Sequence, residues 1–198
     1  MHLESVPMFP LRAVLYPGGP LPLRIFEPRY LDMVGRCVKE QSPFGVLLLM
    51  QGSEVGKEVR TQPTGTLARI VDWNQGADGL LGITAIGEDR FRLLKMHQQE
   101  DGLNTADIEV LPPEPEIPVP AEHKVLADLL QAAFDDLGEF YTFIEKRFDD
   151  ASWVGFRFAE ILPIDMQSKQ YCLELDDPLA RLEFIRPYLR EMREEQAS

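Results

Sequence analysis

Leu111-Pro112-Pro113-Glu114-Pro115-Glu116-Ile117-Pro118-Val119-Pro120 divides this chain into two parts that follow different hydrophobic periods. Five prolines in ten residues exclude a helix interior or a central strand, because each lacks a backbone donor and fixes φ. The stretch should run extended, in polyproline-like geometry, as a semi-rigid connector. The charge changes at the same place. Residues 1–112 carry 11 basic and 14 acidic side chains, residues 113–198 carry 9 and 19. We therefore expect a β-rich domain over residues 1–111, a linker over 112–120 and a helical bundle over 121–198.

On the N-terminal side, short strand-like pieces dominate. Residues 13–16 precede Pro17-Gly18-Gly19-Pro20, a strong turn cluster. Residues 44–51 are apolar on both faces and read as a buried strand. Residues 66–73 and 80–86 flank Asn74-Gln75-Gly76-Ala77-Asp78-Gly79 and look like hairpin arms. Residues 90–96 follow, and then Ala106, Ile108 and Val110 alternate with Asp107 and Glu109, the period-2 pattern of a half-buried strand. One helix interrupts the series. Pro28 suits a first helical position, with Tyr30, Leu31, Val34, Cys37 and Val38 at helical spacing behind it. Many strands and little helix suggest a small barrel or curled sheet.

After the prolines the period lengthens. Val125, Leu126, Leu129, Leu130, Ala133, Phe134 and Leu137 define an amphipathic helix that Gly138 should end or bend. Phe140, Phe143, Ile144 and Phe148 suggest a second helix. Ser152 can cap a third that stops at Pro163, and Ser168 a fourth. Asp177-Pro178 opens a fifth, which Pro187 should kink or restart. The fold class expected is α+β.

The 198 residues suffice for a substantial core without metal or disulfide support. A net charge of −13 argues against coating nucleic acid, which depends on Lys and Arg neutralising phosphates. Cys37 and Cys172 give no disulfide framework, which suits a reducing compartment. The N-terminus has no basic region followed by an apolar run, and no apolar run approaches membrane-spanning length, so a cytoplasmic location is expected.

Chemical motifs are sparse. Gly52-Ser53-Glu54-Val55-Gly56-Lys57-Glu58 is one residue short of a phosphate loop, and Glu58 stands where a magnesium-binding hydroxyl belongs. The segment from Asp72 to Ile83 has calcium-loop character only superficially, since Ile83 replaces the bidentate Glu. Asp78-Gly79 is better read as turn chemistry. His2, His97 and His123 are scattered, no metal or nucleophile-elbow motif occurs, and no cofactor is expected. Asp135-Asp136, Asp149-Asp150 and Asp176-Asp177 fit caps and solvated helix ends. Ile25-Phe26-Glu27-Pro28-Arg29-Tyr30-Leu31 is different, packing aromatics and both charges around a strand-to-helix junction. Glu27 or Arg29 could pair internally to anchor the helix start. Alternatively the group is a recognition edge, with Phe26 and Tyr30 for apolar contact and Arg29 as a fork for a carbonyl or carboxylate.

The same residues carry a resemblance. Phe9-Pro10-Leu11, Pro17-Gly18 and the run from Leu21 through Tyr30 resemble the opening of the N-terminal substrate-binding domain of Lon proteases. Gly65-Thr66-Leu67-Ala68-Arg69-Ile70 is similar to that family's G-T-x-A-x-I strand, and Gly87 through Leu93 to its G-x-x-R-F-x-L strand. Leu162-Pro163, Lys169-Gln170 through Leu173-Glu174, and Arg181-Leu182 are similar to its helical portion. The resemblance implies a PUA-like β pseudo-barrel followed by a helical subdomain, acting in recognition of unfolded polypeptide. The family's ATPase and Ser–Lys peptidase modules have no counterpart before Ser198, so neither activity is expected.

The expected function is thus a non-catalytic polypeptide-binding module, with an unfolded or extended polypeptide, and an adaptor role toward a separate ATP-dependent protease, as the partners. Phe26, Arg29, Tyr30 and Arg90 are the candidate binding residues. The alternatives are a small-molecule hydrolase, which needs a carboxylate meeting His97, His123 or a serine in a deep pocket, and an RNA-binding PUA-like module, by fold analogy alone.

Overall fold

Among the described residues the first part of the chain forms six strands: β1 (His2–Leu11), β2 (Pro20–Ile25), β3 (Phe44–Leu49), β4 (Thr61–Gln75), β5 (Leu81–Gln98) and β6 (Asn104–Val110). A computed structural model describes residues 1–50, 59–137, 141–142 and 144–196. It places the six strands in one sheet of order β2-β5-β4-β3-β1-β6, and β6 pairs again with β5. Strands β5, β4, β3, β1 and β6 therefore close a ring, which hides their backbone edges. Only β1 and β3 run parallel; the other pairings are antiparallel. Strand β2 lies outside the ring on the first half of β5 and keeps an open edge, on which Pro20 and Pro22 withhold donors.

The expected hairpin is real but longer than local periodicity suggests. Strands β4 and β5 meet at a turn where Gly79 adopts φ +82° and Asp78 Oδ1 accepts from the Leu80 N–H at 3.3 Å. Residues 81–86 and 90–96 belong to one strand, whose first half pairs with β2 and whose second half pairs with β6. Glycines on both arms, Gly65 of β4 and Gly87 of β5, allow neighbouring backbone to approach closely. A Cβ at Gly65 would collide with the Val46 carbonyl and lie 2.7 Å from the Phe91 ring, and one at Gly87 would strike the Tyr16 carbonyl.

Residues 13–16 are not a strand. Leu15 and Tyr16 are buried, yet the Leu15 carbonyl is satisfied by the Thr66 hydroxyl at 2.6 Å instead of by a ladder partner. Pro17 and Gly18 then turn the chain, with the Gly18 N–H reaching the Gly87 carbonyl at 2.7 Å. Strand β1 escaped the sequence reading because a bulge between Leu3 and Val6 breaks its alternation. The residues 44–51 reading shortens to β3, and Gln51 with the Gly52–Glu58 loop lies outside the described residues.

Helix α1 (Pro28–Glu40) buries Tyr30, Val34 and Cys37 of the expected face together with Met33, whereas Leu31 is exposed and Val38 half-buried. Tyr30, Met33, Val34 and Cys37 join Phe9, Leu15, Ile25, Phe44 and Val46 in one core cluster; Met8, Leu47, Leu67, Phe91 and Ile108 belong to a second.

The chain divides into two compact units, Met1–Pro112 and Pro113–Ser198. The second contains a 3-10 turn (Ala121–His123) and helices α2 (Lys124–Leu137), α3 (Ala151–Ile161), α4 (Met166–Glu174) and α5 (Pro178–Gln196). Among the described residues the helix expected around Ile144 and Phe148 is absent; Phe140 and Phe143, like Gly138, fall outside them. The reason is a competing pairing. The Val119 N–H donates to the Asp149 carbonyl and the Ala151 N–H to the Ile117 carbonyl, both at 2.8 Å, holding residues 149–151 against the proline-rich stretch. Phe148 instead wedges edge-on against Phe134 and Trp153.

Two caps also differ from expectation. Asp150 and Asp165, not Ser152 and Ser168, accept the first backbone donors of α3 and α4. A carboxylate is the stronger acceptor there, and it also favours the helix dipole. Helix α5 begins at Pro178 with Asp177 accepting from the Leu179 N–H, and it continues through Pro187 without restarting.

Two fully buried arginines organise this unit. Arg181 donates to both carboxylate oxygens of Glu114 at 2.5 and 2.9 Å and to the Cys172 carbonyl at 2.7 Å, and stacks 3.7 Å above the Phe156 ring. The proline-rich segment is thereby fastened to the helices by its own glutamate. Arg157 pairs with Glu160 at 3.1 Å, and the Tyr141 hydroxyl donates to Glu160 at 2.6 Å. Burial raises the Glu160 pKa, against the lowering effects of Arg157, Tyr141 and Lys169.

Candidate functional site

Strand β2 ends at Ile25, which is buried; the chain then leaves the sheet, turns at Glu27 and enters α1 at Pro28. Glu27 has extended backbone angles and takes the Tyr30 and Leu31 N–H groups on its carbonyl, leaving its side chain free to work elsewhere. Phe26 is caught between the buried strand end and the helix cap and projects outward, 67% exposed. An isolated exposed Phe is ordinary, but this one stands on the rim of a concavity.

That concavity, about 710 Å³, lies in the first unit between β1 and β2. Phe9 and Leu11 of β1 and Leu23 and Ile25 of β2 supply apolar wall, while Arg24, Glu27 and Arg29 set charge on the rim. Tyr30 stacks on Phe9 with ring centroids 4.0 Å apart, closing the floor. Burial raises its phenol pKa, opposed by the Arg29 charge, so it stays protonated. Arg29 donates through Nε to Glu27 at 2.9 Å and through Nη1 to the Gly102 carbonyl at 2.9 Å. The internal-pairing reading of this junction holds, since Glu27 and Arg29 pair with each other, and both also line the groove. Arg24 also has an internal partner, Asp78.

Three of the four candidate residues, Phe26, Arg29 and Tyr30, thus share one groove. Arg90 does not line it; it is buried within β5 opposite Thr66. Phe9 and Leu23 are groove residues that the sequence reading did not nominate. Phe9 was visible as part of Phe9-Pro10-Leu11, but its stacking on Tyr30 joins residues 21 positions apart and has no local signal.

The requirements for a hydrolytic centre are met less well. His97 contacts Asp107 at 3.1 Å on the outside of β5 and β6. His123 meets the Glu183 carboxylate at 3.3 Å and, with Glu122, lines a cavity of only about 140 Å³ whose other walls include Val125, Leu126, Leu129 and Leu189. Burial pushes the Cys172 thiol up to about 11, partly offset by Arg181, and raises that of Cys37 too, so both thiols are poor nucleophiles at neutral pH. Among the described residues, no three His, Cys, Asp or Glu side chains come together as a metal site. Among the described residues, no helix is long and apolar enough to cross a membrane.

Comparison with known proteins places this geometry. The crystal structure of a Lon N-terminal domain protein from Xanthomonas campestris superposes with a TM-score of 0.75 at 35% identity, covering 91% of this chain and 96% of that one. The N-terminal domain of a Mycobacterium avium complex Lon protease shares the fold, with a TM-score of 0.64 at 15% identity over 93% of this chain and 97% of that one. Protein cereblon of Gallus gallus is 31% identical over 113 residues, and that of Xenopus tropicalis 30% identical over 113. These stretches cover 55% of this chain but only 24% of each cereblon, so the chain spans about a quarter of those relatives. The family described as the ATP-dependent protease La (LON) substrate-binding domain matches residues 5–191. A barrel closed by β5 and β6, an added strand β2 leading into α1, and a following helical unit accordingly identify the chain as a member of the Lon substrate-binding domain family.

Proposed function

We propose that this chain is a non-catalytic, cytoplasmic polypeptide-binding module, and that the groove beside Phe26 receives an extended segment of an unfolded partner. The observation that carries the reading is the groove itself: a large open concavity with an apolar wall and an exposed aromatic on its rim. Such surfaces take bulky apolar side chains with little demand on sequence, since burial gains scale with apolar area. Full strand addition to β2 is disfavoured, because Pro20 and Pro22 remove two donors from its open edge. Side-chain capture is then the main source of affinity, with Phe26 folding over the ligand and Tyr30 beneath it. Arg29 acts mainly by holding the floor through Glu27 and the Gly102 carbonyl. Delivery of the captured segment to a separate ATP-dependent protease extends the same reading. The net charge of −13 counts against an RNA ligand.

The test is an anisotropy titration with fluorescein-labelled, reduced and alkylated lysozyme as a permanently unfolded probe. Saturable binding is expected, weakened about tenfold by Phe26→Ala, as for a moderate hot spot. Binding that is unchanged in Phe26→Ala places the contact elsewhere.

A further inference from the structure

The inner face of β6 changes character at its first residue. Ala106 and Ile108 are fully buried and belong to the barrel core cluster that holds Met8 and Phe91. Asn104 is the next member of that alternating row, and it stands directly opposite Met8 of β1. An apolar side chain there would simply extend the core. Asn104 instead sets a polar group at the end of the row, 4% exposed, where it lines the groove with Phe9, Pro10 and Tyr30.

Its backbone is committed on both sides, to Met8 of β1 and to Gln98 of β5. Its carboxamide is not. Among the described residues, neither Oδ1 nor Nδ2 has a hydrogen-bond partner, and neither is sealed off from the groove. Buried polar side chains are normally hydrogen-bonded, because desolvation without a partner costs stability. A donor and an acceptor therefore stand ready in an otherwise apolar wall.

The neighbouring charges narrow what can meet them. Arg29 is held by Glu27 and the Gly102 carbonyl, and Arg24 by Asp78, so the cations of the rim already have their counter-charges. The open pair on Asn104 calls for a neutral group with one N–H and one C=O, which every peptide unit presents.

On the polypeptide-binding reading of the groove, on which this rests, we infer that Asn104 anchors the main chain of the bound segment. Nδ2 donates to a peptide carbonyl and Oδ1 accepts from a peptide N–H. These bonds set where the segment's apolar side chains fall against Phe9 and Phe26, with no demand on its sequence. They also provide a main-chain contact that Pro20 and Pro22 deny to strand addition on β2. Asn104 is thus a positioning residue for the ligand.

The probe is a fluorescein-labelled nonapeptide with three central leucines between serine–glycine flanks, titrated into the full chain by anisotropy. Beside it runs the same peptide N-methylated at the leucines, which removes its central main-chain donors. Methylation should weaken binding about tenfold in the parent chain but no more than about twofold in Asn104→Leu, where the acceptor is already gone. Asn104→Ala repeats the comparison without leucine's bulk, and urea unfolding checks that each variant is folded. An equal methylation penalty in the parent chain and both folded Asn104 variants, with binding still weakened by Phe26→Ala, overturns the anchoring role and leaves the groove reading standing. Failure to saturate, or binding indifferent to Phe26→Ala, overturns the groove reading and the anchor with it.

Discussion

The two units of this chain solve the burial problem in opposite ways. The barrel fills its interior with Met8, Leu47, Phe91 and Ile108 and leaves its ion pairs, such as Arg69 with Glu88 and Arg92 with Glu109, at the surface. The helical unit hides whole arginines, Arg157 and Arg181, and builds its connections around them. Closed strands satisfy their own backbone, so the barrel relies less on buried charge, with Arg90 of β5 as its exception. Short helices end in carbonyls, such as that of Cys172 and the following Leu175, that lack helical partners, and Arg181 supplies the donors. A buried charge thus does for the second unit what strand pairing does for the first.

The largest expected effect follows from that difference. Arg181→Ala should destabilise the helical unit by about 3–5 kcal/mol in urea unfolding, because Glu114 stays buried, keeping its bond from the Ser152 hydroxyl but losing the charge that balances it. Replacing both Arg181 and Glu114 by Met should cost much less, since both desolvation penalties vanish together. If the double variant is as unstable as the single one, the fastening role of Arg181 on the Cys172 and Leu175 carbonyls dominates instead.

The barrel should break by volume rather than charge. Gly65→Ala forces a methyl group against the Val46 carbonyl and the Phe91 ring, with an expected loss of about 1–3 kcal/mol by thermal or urea unfolding. Arg29→Ala should cost only about 1 kcal/mol, as its bonds to Glu27 and the Gly102 carbonyl are partly solvated.

The smallest effect is a pH dependence at the β1 bulge. Asp107 accepts from His97 and from the Ser5 N–H, and Ser5 sits at φ +54°. These bonds, His97 first and then Ser5, lower the Asp107 pKa, so its stabilisation is present above the ordinary Asp value and fades as pH falls through the folded value. Asp107→Asn should therefore be measurably less stable than the parent chain near neutral pH, with the gap closing below about pH 4. A gap that widens in acid would show that the carboxylate is not the bulge's clamp.

What could be read from sequence follows the same division. The strand motifs around Gly65 and Gly87, the helix opened by Pro28 and the Asp78-Gly79 turn are local patterns, and each reappears in the structure. Strand β1 hid behind its bulge, and residues 13–16 passed for a strand because burial without a ladder has the same apolar look. In the helical unit, Arg181 and Glu114 are separated by 67 positions, and nothing local distinguishes a buried arginine from a solvated one. The groove was half legible: Phe26, Arg29 and Tyr30 fall within one junction, whereas Phe9 enters by a tertiary stack and Arg90 proved to lie elsewhere.

Amide hydrogen exchange, measured with and without reduced and alkylated lysozyme, tests the polypeptide-binding account most directly. Slowed exchange is predicted at residues 9–11 and 23–31, the groove's wall and rim, with little change in β4. Slowing confined to other parts of the chain, or none at saturating probe, would contradict it.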